Sequence, residues 1–149
     1  HVGDHKYSVG YLPAESDSGM FGGNSNWRGP IWMPVNVMIL RSLIVYFCYY
    51  GKDFKVEFPT GSGHWVNLWE ASLLLEERLA GIFRRDGDGR RAFNGQVALF
   101  QNDPNWRDVI LFNEYFHGDN GSGVGASHQT GWSAMTAKMI HQLSRYPSG

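Results

Sequence analysis

The fold of this chain is decided by an apolar run, VNVMILRSLIVYFCYY, at residues 35–50. A helix over this run is apolar nearly all round, and Gly51 directly after it favours a helix end. Helices of this kind are normally buried among other helices. The run therefore predicts a helical scaffold in which this one helix needs more packing partners than the rest of the sequence offers.

Two further segments have the pattern of helices. Apolar side chains keep helical spacing from Leu68 to Arg85, and Asn67 and Glu70 form a candidate capping pair at the start of this segment. A third helix is predicted from Thr130 to Arg145, again with its apolar residues on one face. The scaffold thus has three predicted helices.

The connections between these helices are long and irregular. Short extended pieces are predicted near residues 7–12 and at residues 96–100, with glycine-rich turns elsewhere. Loops of this length are uncommon in compact domains unless they are functional. We therefore expect them to converge at one end of the helical scaffold and to form a substrate pocket.

The charge of the chain argues against nucleic-acid binding. The formal net charge is −1 and only 18% of the residues are charged, whereas contact with a phosphate backbone needs clustered Lys and Arg. One dense basic run exists, Arg84-Arg85 with Arg90-Arg91, and Asp86 and Asp88 interrupt it. We interpret this run as a solvated helix end followed by a turn.

Compartment and membrane association are predicted from a few residues. The single cysteine, Cys48, lies in the apolar run, which predicts a buried free thiol and is compatible with a cytoplasmic protein. Asn36, Arg41 and Ser42 interrupt the same run, so we expect no membrane span. The chain begins without methionine, which indicates a piece of a longer protein.

A candidate site lies in FNEYFHGDNGSGVGASHQTGW, residues 112–132. In this segment the carboxylate Glu114 is surrounded by aromatic residues and precedes a glycine-rich loop that could approach a polyol closely. A second cluster, NSNWRGPIW at residues 24–32, supplies Trp27, Arg28 and Trp32. A carboxylate in a partly dry setting, together with flat rings that stack on sugars, predicts carbohydrate hydrolysis.

Each candidate residue also has a structural alternative. Glu114 could cap a turn or pair with Arg107, and Arg28 could form a buried salt bridge that organises its loop. One of Trp27 and Trp32 is expected to belong to the core. No metal or cofactor is expected, because the sequence has no His-Glu-x-x-His pattern, no second cysteine and no lysine-bearing phosphate loop.

Four sequence elements together resemble a known family. They are GGNSNWRGPIW (22–32), PTGSG (59–63), NEYFHG (113–118) and GWS (131–133). The chain resembles the C-terminal catalytic region of glycoside hydrolase family 63, which includes processing α-glucosidase I, bacterial α-glucosidases and mannosylglycerate hydrolase-like enzymes. The resemblance runs over most of the chain, and its elements are specific in combination rather than singly.

The resemblance implies an all-α fold, part of an (α/α)6 barrel with long loops and short extended pieces. It implies inverting hydrolysis of an α-linked glucosyl or mannosyl sugar, from a small α-glycoside or oligosaccharide. Glu114 matches the glutamate that serves this family as general base. Trp27, Arg28 and Trp32 match a stretch that lines the sugar pocket, and Tyr115 and His117 flank the base within its motif as candidate substrate-binding residues.

The resemblance departs at the general acid. In the family this is an aspartate upstream of the Trp-Arg-Gly-Pro element, in a region that does not align with this chain. Inverting hydrolysis needs two carboxyl groups about 6.5–9.5 Å apart. We therefore expect residues 1–149 to be a C-terminal fragment of a catalytic domain, inactive alone and prone to self-association through an exposed barrel seam.

Two other functions remain open from the sequence. A non-catalytic carbohydrate-binding module would use the same aromatic rings, with Glu114 as a hydrogen-bond acceptor. A helical interaction domain would instead bury the apolar run at residues 35–50 against another protein. Sugar binding that is unaffected by Glu114→Gln would favour the module, and no effect of any sugar would favour the interaction domain.

Overall fold

The computed structural model describes residues 3–5, 7–8, 10–19 and 27–146. The helices are α1 (Met33–Tyr50), α2 (Leu68–Gly81), α3 (Ala98–Asn102), α4 (Thr130–Ser133) and α5 (Thr136–Arg145), with a 3-10 turn at Ala92–Asn94. The strands are β1 (Lys55–Glu57), β2 (Trp65–Asn67), β3 (Tyr115–Phe116) and β4 (Gly123–Val124). Residues 22–26, which open the family-like element, lie outside the described part of the chain.

The prediction of an all-α fold, part of an (α/α)6 barrel, is wrong. The described residues form a mixed α/β arrangement, in which helices accompany two small antiparallel sheets, β1–β2 and β3–β4. Segments predicted as irregular connections turn back on themselves at glycines with positive φ, such as Gly61 and Gly63 between β1 and β2. Because glycine adopts these angles without steric cost, the strands on the two sides of such a turn can pair as a hairpin.

The start of α2 forms as the sequence predicts. The side chain of Asn67 accepts a hydrogen bond from the backbone N–H of Glu70 at 2.9 Å, and Glu70 accepts one from the N–H of Asn67 at 2.8 Å. This reciprocal capping box satisfies two of the N–H groups that a helix leaves unpaired at its start. The helix ends at Gly81 rather than at the predicted Arg85, because the chain then turns into the loop that carries the arginines.

The other helical predictions are partly correct. The segment from Thr130 to Arg145 is helical but breaks at Ala134 and Met135, which gives α4 and α5. The extended piece predicted at residues 96–100 is wrong, since most of it belongs to the short helix α3. The described residues of the predicted strand at 7–12 form no strand.

Helix α1 has the predicted course and an unusual exposure. It packs against α2 and buries Met33 and Leu40, but most of its other side chains are exposed, and Tyr49 is 81% exposed. Cys48, predicted to be buried, is also exposed. Within the described residues α1 is the helix that is long and apolar enough to cross a membrane by length and composition alone.

The main core lies where α1, α2, α5 and β3 meet. Its buried members are Met33, Leu40, Leu79, Ile82, Phe83, Phe93, Phe116 and Met139. Phe116 and Met33 are fully buried at its centre. The core therefore holds strand β3 in place, and the residues on either side of Phe116 have defined positions.

Candidate functional site

The two sequence clusters predicted to carry a site lie side by side. Ile31 and Phe116 form an isolated antiparallel bridge, in which each N–H donates to the other residue's carbonyl oxygen, at 2.7 Å and 3.0 Å. The bridge holds the segment that ends at Trp32 along the edge of β3. It thereby brings Trp27, Arg28 and Trp32 beside the segment from Glu114 to His117.

Aromatic rings from both segments form one stack. The rings of Trp27 and Trp32 lie 4.4 Å apart and 13° from parallel, and Trp32 stacks on Tyr115 at 4.6 Å and 25°. Trp132, at the start of α4, meets Trp32 edge-on at 6.5 Å. Such stacked and edge-on contacts add about 0.5–1.5 kcal/mol per pair beyond the burial of area.

Exposure separates the roles of these rings. Trp32 and Tyr115 are each 6% exposed, so they support the stack from within, as the sequence predicted for one of the two tryptophans. Trp27 is 54% exposed at the outer end of the stack. Trp32 covers one of its faces, and more than half of the Trp27 side chain is left exposed.

Glu114 is held by the β3–β4 hairpin. Its backbone N–H donates to the carbonyl oxygen of Ala126 at 2.8 Å, and its Oε2 accepts from the N–H of Ala126 at 3.3 Å. Within the described part of the chain, Oε1 of Glu114 has no hydrogen-bond partner. The carboxylate is therefore anchored through one oxygen, and the second is not engaged by the described residues.

A close approach of backbone to side chain requires glycine at position 125. Gly125 has φ +73°, and a Cβ there would lie 2.7 Å from Oε2 of Glu114 and 2.9 Å from Cε1 of Tyr115. The Glu114 carboxylate and the edge of the Tyr115 ring therefore both lie against Gly125. The carboxylate is thus beside the aromatic stack.

His117 follows β3 and has a defined tautomer when it is neutral. Its Nδ1 accepts a hydrogen bond from the backbone N–H of Asp119 at 3.2 Å, so the proton of the neutral ring is on Nε2. The hydroxyl of Tyr11 donates to Oδ1 of Asp119 at 2.6 Å. This hydrogen bond, more than burial or charge, raises the pKa of Tyr11 above its ordinary value.

Tyr11 was not predicted as part of the site, and the sequence does not single out Asp119 among the loop carboxylates that could serve as an acid. Their segments meet because Gly118 has no side chain: a Cβ there would lie 2.4 Å from the carbonyl oxygen of Gly29 and 2.6 Å from the Tyr11 hydroxyl. The N–H of Gly118 also donates to the carbonyl oxygen of Pro13 at 2.6 Å. A glycine flanked by polar residues was the available signal, but it did not identify its partners.

Arg28 and Arg107 have different surroundings. Arg28 is exposed beside Trp27 and interacts with another part of the chain. Its exposure does not fit a buried salt bridge, which was the structural alternative for this residue. Arg107 forms its ion pair with Asp108 at 3.6 Å and not with Glu114, whereas the bond from the Ala126 N–H to Glu114 fits the other structural alternative, a carboxylate that caps a turn. Glu114 therefore belongs to the hairpin and the aromatic stack rather than to a surface ion pair.

The comparisons with known proteins give similarity without an activity. The chain is 51% identical over 145 residues to the uncharacterized protein YMR196W of Saccharomyces cerevisiae. This alignment covers 96% of the chain, but the chain spans only 13% of the length of the yeast protein. No family model matches the chain. No solved structure matches it either.

Proposed function

We propose that this chain supplies the general base and a stacking surface of an inverting glycoside hydrolase that acts on α-linked glucosyl or mannosyl sugars. The observation that carries the proposal is the Ile31–Phe116 bridge, which brings the segment of an exposed tryptophan beside the segment of an anchored carboxylate. The similarity to a segment of a much longer yeast protein is compatible with a chain that acts as part of a larger enzyme.

In this proposal Trp27 binds the apolar face of a pyranose. The C–H groups on one face of a sugar ring pack well against an indole, and the buried Trp32 and Tyr115 hold Trp27 in place. The guanidinium of Arg28 and the Nε2–H of His117 are donors for sugar hydroxyl groups. The stack provides affinity, and the polar groups orient the sugar.

Glu114 would activate the attacking water. In an inverting mechanism one carboxylate removes a proton from water, while the water oxygen attacks the anomeric carbon and a second carboxyl group protonates the leaving oxygen. Oε1 of Glu114 is the candidate acceptor, because Oε2 is already engaged by Ala126.

Hydrolysis is best tested in a chimera. The segment of the yeast relative that matches this chain is replaced by the chain itself, with and without Glu114→Gln. Proton NMR with methyl α-glucoside, maltose and methyl α-mannoside should show the β-anomer of the released sugar first. The substitution should slow the release of sugar at least about a hundredfold, which is the lower end of the rate contribution of a general base. A chimera that hydrolyses none of these sugars, or that is unaffected by Glu114→Gln, contradicts the proposal.

A second candidate function is self-association through α1. Met38, Val45 and Tyr49 are 63%, 54% and 81% exposed and lie on one stripe of the helix, with Ser42 between them. This i, i+4, i+7, i+11 spacing is that of a helix–helix seam, and Ser42 permits close approach. We propose that a second copy of the chain covers this stripe.

Arg41 favours a protein partner for α1 over a lipid bilayer. It is exposed at the middle of Met33–Tyr50, so a membrane-spanning α1 would place its charge at the bilayer centre. That position costs about 2.5–3.5 kcal/mol on biological insertion scales. In a soluble dimer Arg41 can keep its charge in water at the edge of the interface.

A further inference from the structure

The basic run, which the sequence predicts to be a solvated helix end and turn and which is largely exposed, also lines a recess. The recess has a volume of about 300 Å³ and lies between the end of α2, the loop before the 3-10 turn and the turn that precedes β4. Arg84, Arg90 and Arg91 line it, together with Asn120 and Ser122. Its size is at the lower end of the range for sites that bind small molecules.

The loop that carries the arginines has a defined shape. Gln101 is buried, and its side chain accepts from the N–H of Arg91 at 3.0 Å and donates to the carbonyl oxygens of Arg91 and Gly95 at 2.9 Å and 3.0 Å. Arg85 and Arg91 form an antiparallel bridge that closes the loop. The backbone is therefore fixed by hydrogen bonds to a buried side chain, and Arg84, Arg90 and Arg91 are among the residues that line the recess.

The three guanidinium groups keep donors in reserve. Arg84 pairs with Glu77, Arg91 donates through Nη1 to the carbonyl oxygen of Phe83, and Arg90 donates through Nη2 to Oε1 of Gln96 at 3.2 Å. Nη2 of Arg90 also donates to the carbonyl oxygen of Gly95 at 3.3 Å, and Nε of Arg91 is buried, so a ligand can use only the remaining N–H groups of the five that each guanidinium carries.

Arg91 is partly buried at the recess. Its Nε is buried and has no hydrogen-bond partner in the described part of the chain. Burial, more than the charge of Arg85, lowers the pKa of the Arg91 guanidinium below its ordinary value, and the charge of Asp108 opposes this shift.

We propose that this recess binds the oxyanion group of a small ligand, a phosphate or a carboxylate, through Arg84, Arg90 and Arg91. Planar guanidinium groups match both oxyanions with paired, charge-assisted hydrogen bonds. Asp86 is the acid that lines the recess, and its Oδ1 accepts from the N–H groups of Asp88 and Arg90 at 3.0 Å and 2.8 Å. The proposal does not depend on the sugar site.

The test is a titration of the 149-residue chain, followed through the Nε–Hε signals of its arginines by NMR. Inorganic phosphate and malonate are added separately at constant ionic strength, with sodium chloride as the reference. Saturable shifts of the Arg84, Arg90 and Arg91 signals with either anion support the proposal, and the effective anion identifies the ligand class. The absence of such shifts would overturn the proposal. Shifts that chloride reproduces would show an adventitious ion only and would also overturn the proposal.

Three substitutions sharpen the test. Arg90→Gln, at an exposed position, should weaken binding about tenfold, the effect of losing one charge-assisted hydrogen bond pair. Asp86→Asn keeps the acceptor for the loop N–H groups and removes the repelling charge, so it should tighten binding. Arg145→Gln, on α5, is the control and should change nothing. Unchanged affinity in both Arg90→Gln and Asp86→Asn overturns the proposal even if the anions bind.

Discussion

Ile31 and Phe116 exchange both of their backbone hydrogen bonds, at 2.7 Å and 3.0 Å, and so join two distant segments of the chain edge to edge. Phe116 is fully buried and Ile31 packs against the same core. The relationship matters because Trp32 follows one of these residues and Tyr115 precedes the other. The ring stack and the Glu114 carboxylate are neighbours through this bridge.

Gly125→Ala should destabilise the chain and displace Glu114. The new methyl group would lie 2.7 Å from Oε2 of Glu114, at a φ of +73° that alanine rarely adopts. Such strain costs about 1–3 kcal/mol, and thermal denaturation should show a loss of about 2–4 °C per kcal/mol for a chain of this size. The matched control is Gly131→Ala, where a Cβ has nothing within 4 Å. Equal losses in the two variants would contradict the tight contact.

Replacement of Trp32 should cost more stability than replacement of Trp27. Trp32→Ala removes a buried ring, and such substitutions cost about 3–5 kcal/mol of unfolding free energy. Trp27→Ala removes a ring that is 54% exposed and should cost much less. Urea denaturation measures both losses. A larger loss for Trp27→Ala than for Trp32→Ala would show that the outer ring is structural.

Asn67→Ala should weaken the start of α2. The substitution removes the acceptor for the Glu70 N–H and one half of the capping box. The loss of such a cap costs about 0.5–2 kcal/mol. Asn67→Asp keeps an acceptor oxygen and should retain most of the stability in the same denaturation experiment, whereas an equal loss in both variants would contradict a capping role.

Glu76→Gln should stabilise the chain at neutral pH. Glu76 is 4% exposed, its Oε2 has no partner in the described residues, and burial raises the pKa of its carboxyl, which the charge of Lys138 opposes. A raised folded pKa means that the native state binds the proton more tightly than the unfolded chain. The resulting stability is fully present below the ordinary pKa of 4.5 and is lost as pH rises through the folded value.

The measurement for Glu76 is the melting temperature as a function of pH. Gln keeps the shape of the side chain without the charge, so the variant should melt above the wild type at pH 7 and close to it at pH 4. Glu15→Gln, at an exposed position, is the control and should leave the pH profile unchanged. A parallel offset of the Glu76→Gln profile at every pH would contradict the assignment.

Tyr49→Asp should reduce self-association. The substitution places a charge in the exposed stripe of α1, where Tyr49 is 81% exposed in the single chain. Sedimentation velocity should show a concentration-dependent dimer for the wild type and a monomer for the variant, because an unpaired charge is costly in an apolar interface. Leu99→Asp, at a position 48% exposed on α3, is the matched control. A wild-type chain that stays monomeric contradicts the proposed seam.

The elements that were predictable from the sequence depend on neighbouring residues. The end of α1 and the Asn67–Glu70 cap were predicted because apolar runs, glycine stops and capping pairs act within a few residues, although α1 begins at Met33, two residues before the predicted run. The strands of two or three residues, such as β3, are too short to show a period of two. They form through turns and distant pairing, which is why an all-α fold was predicted and is wrong.

The residues of the site were predictable from the sequence, but their arrangement in space was not. Trp27, Trp32 and Glu114 were chosen from local composition, but nothing near Ile31 indicates Phe116 as its partner. The division between a supporting Trp32 and an exposed Trp27 depends on burial by the folded chain. The recess lined by Arg84, Arg90 and Arg91 was missed because the interrupting acids suggested a solvated turn.

The most direct test of the sugar site is saturation-transfer NMR of the chain with methyl α-glucoside and methyl α-mannoside, for the wild type, Trp27→Ala and Leu99→Asp. We expect transfer to the ring protons of at least one sugar with the wild type and with Leu99→Asp. Trp27→Ala should abolish this transfer, because it removes the exposed end of the stack. Absence of transfer to either sugar, or transfer that Trp27→Ala leaves unchanged, would contradict the account.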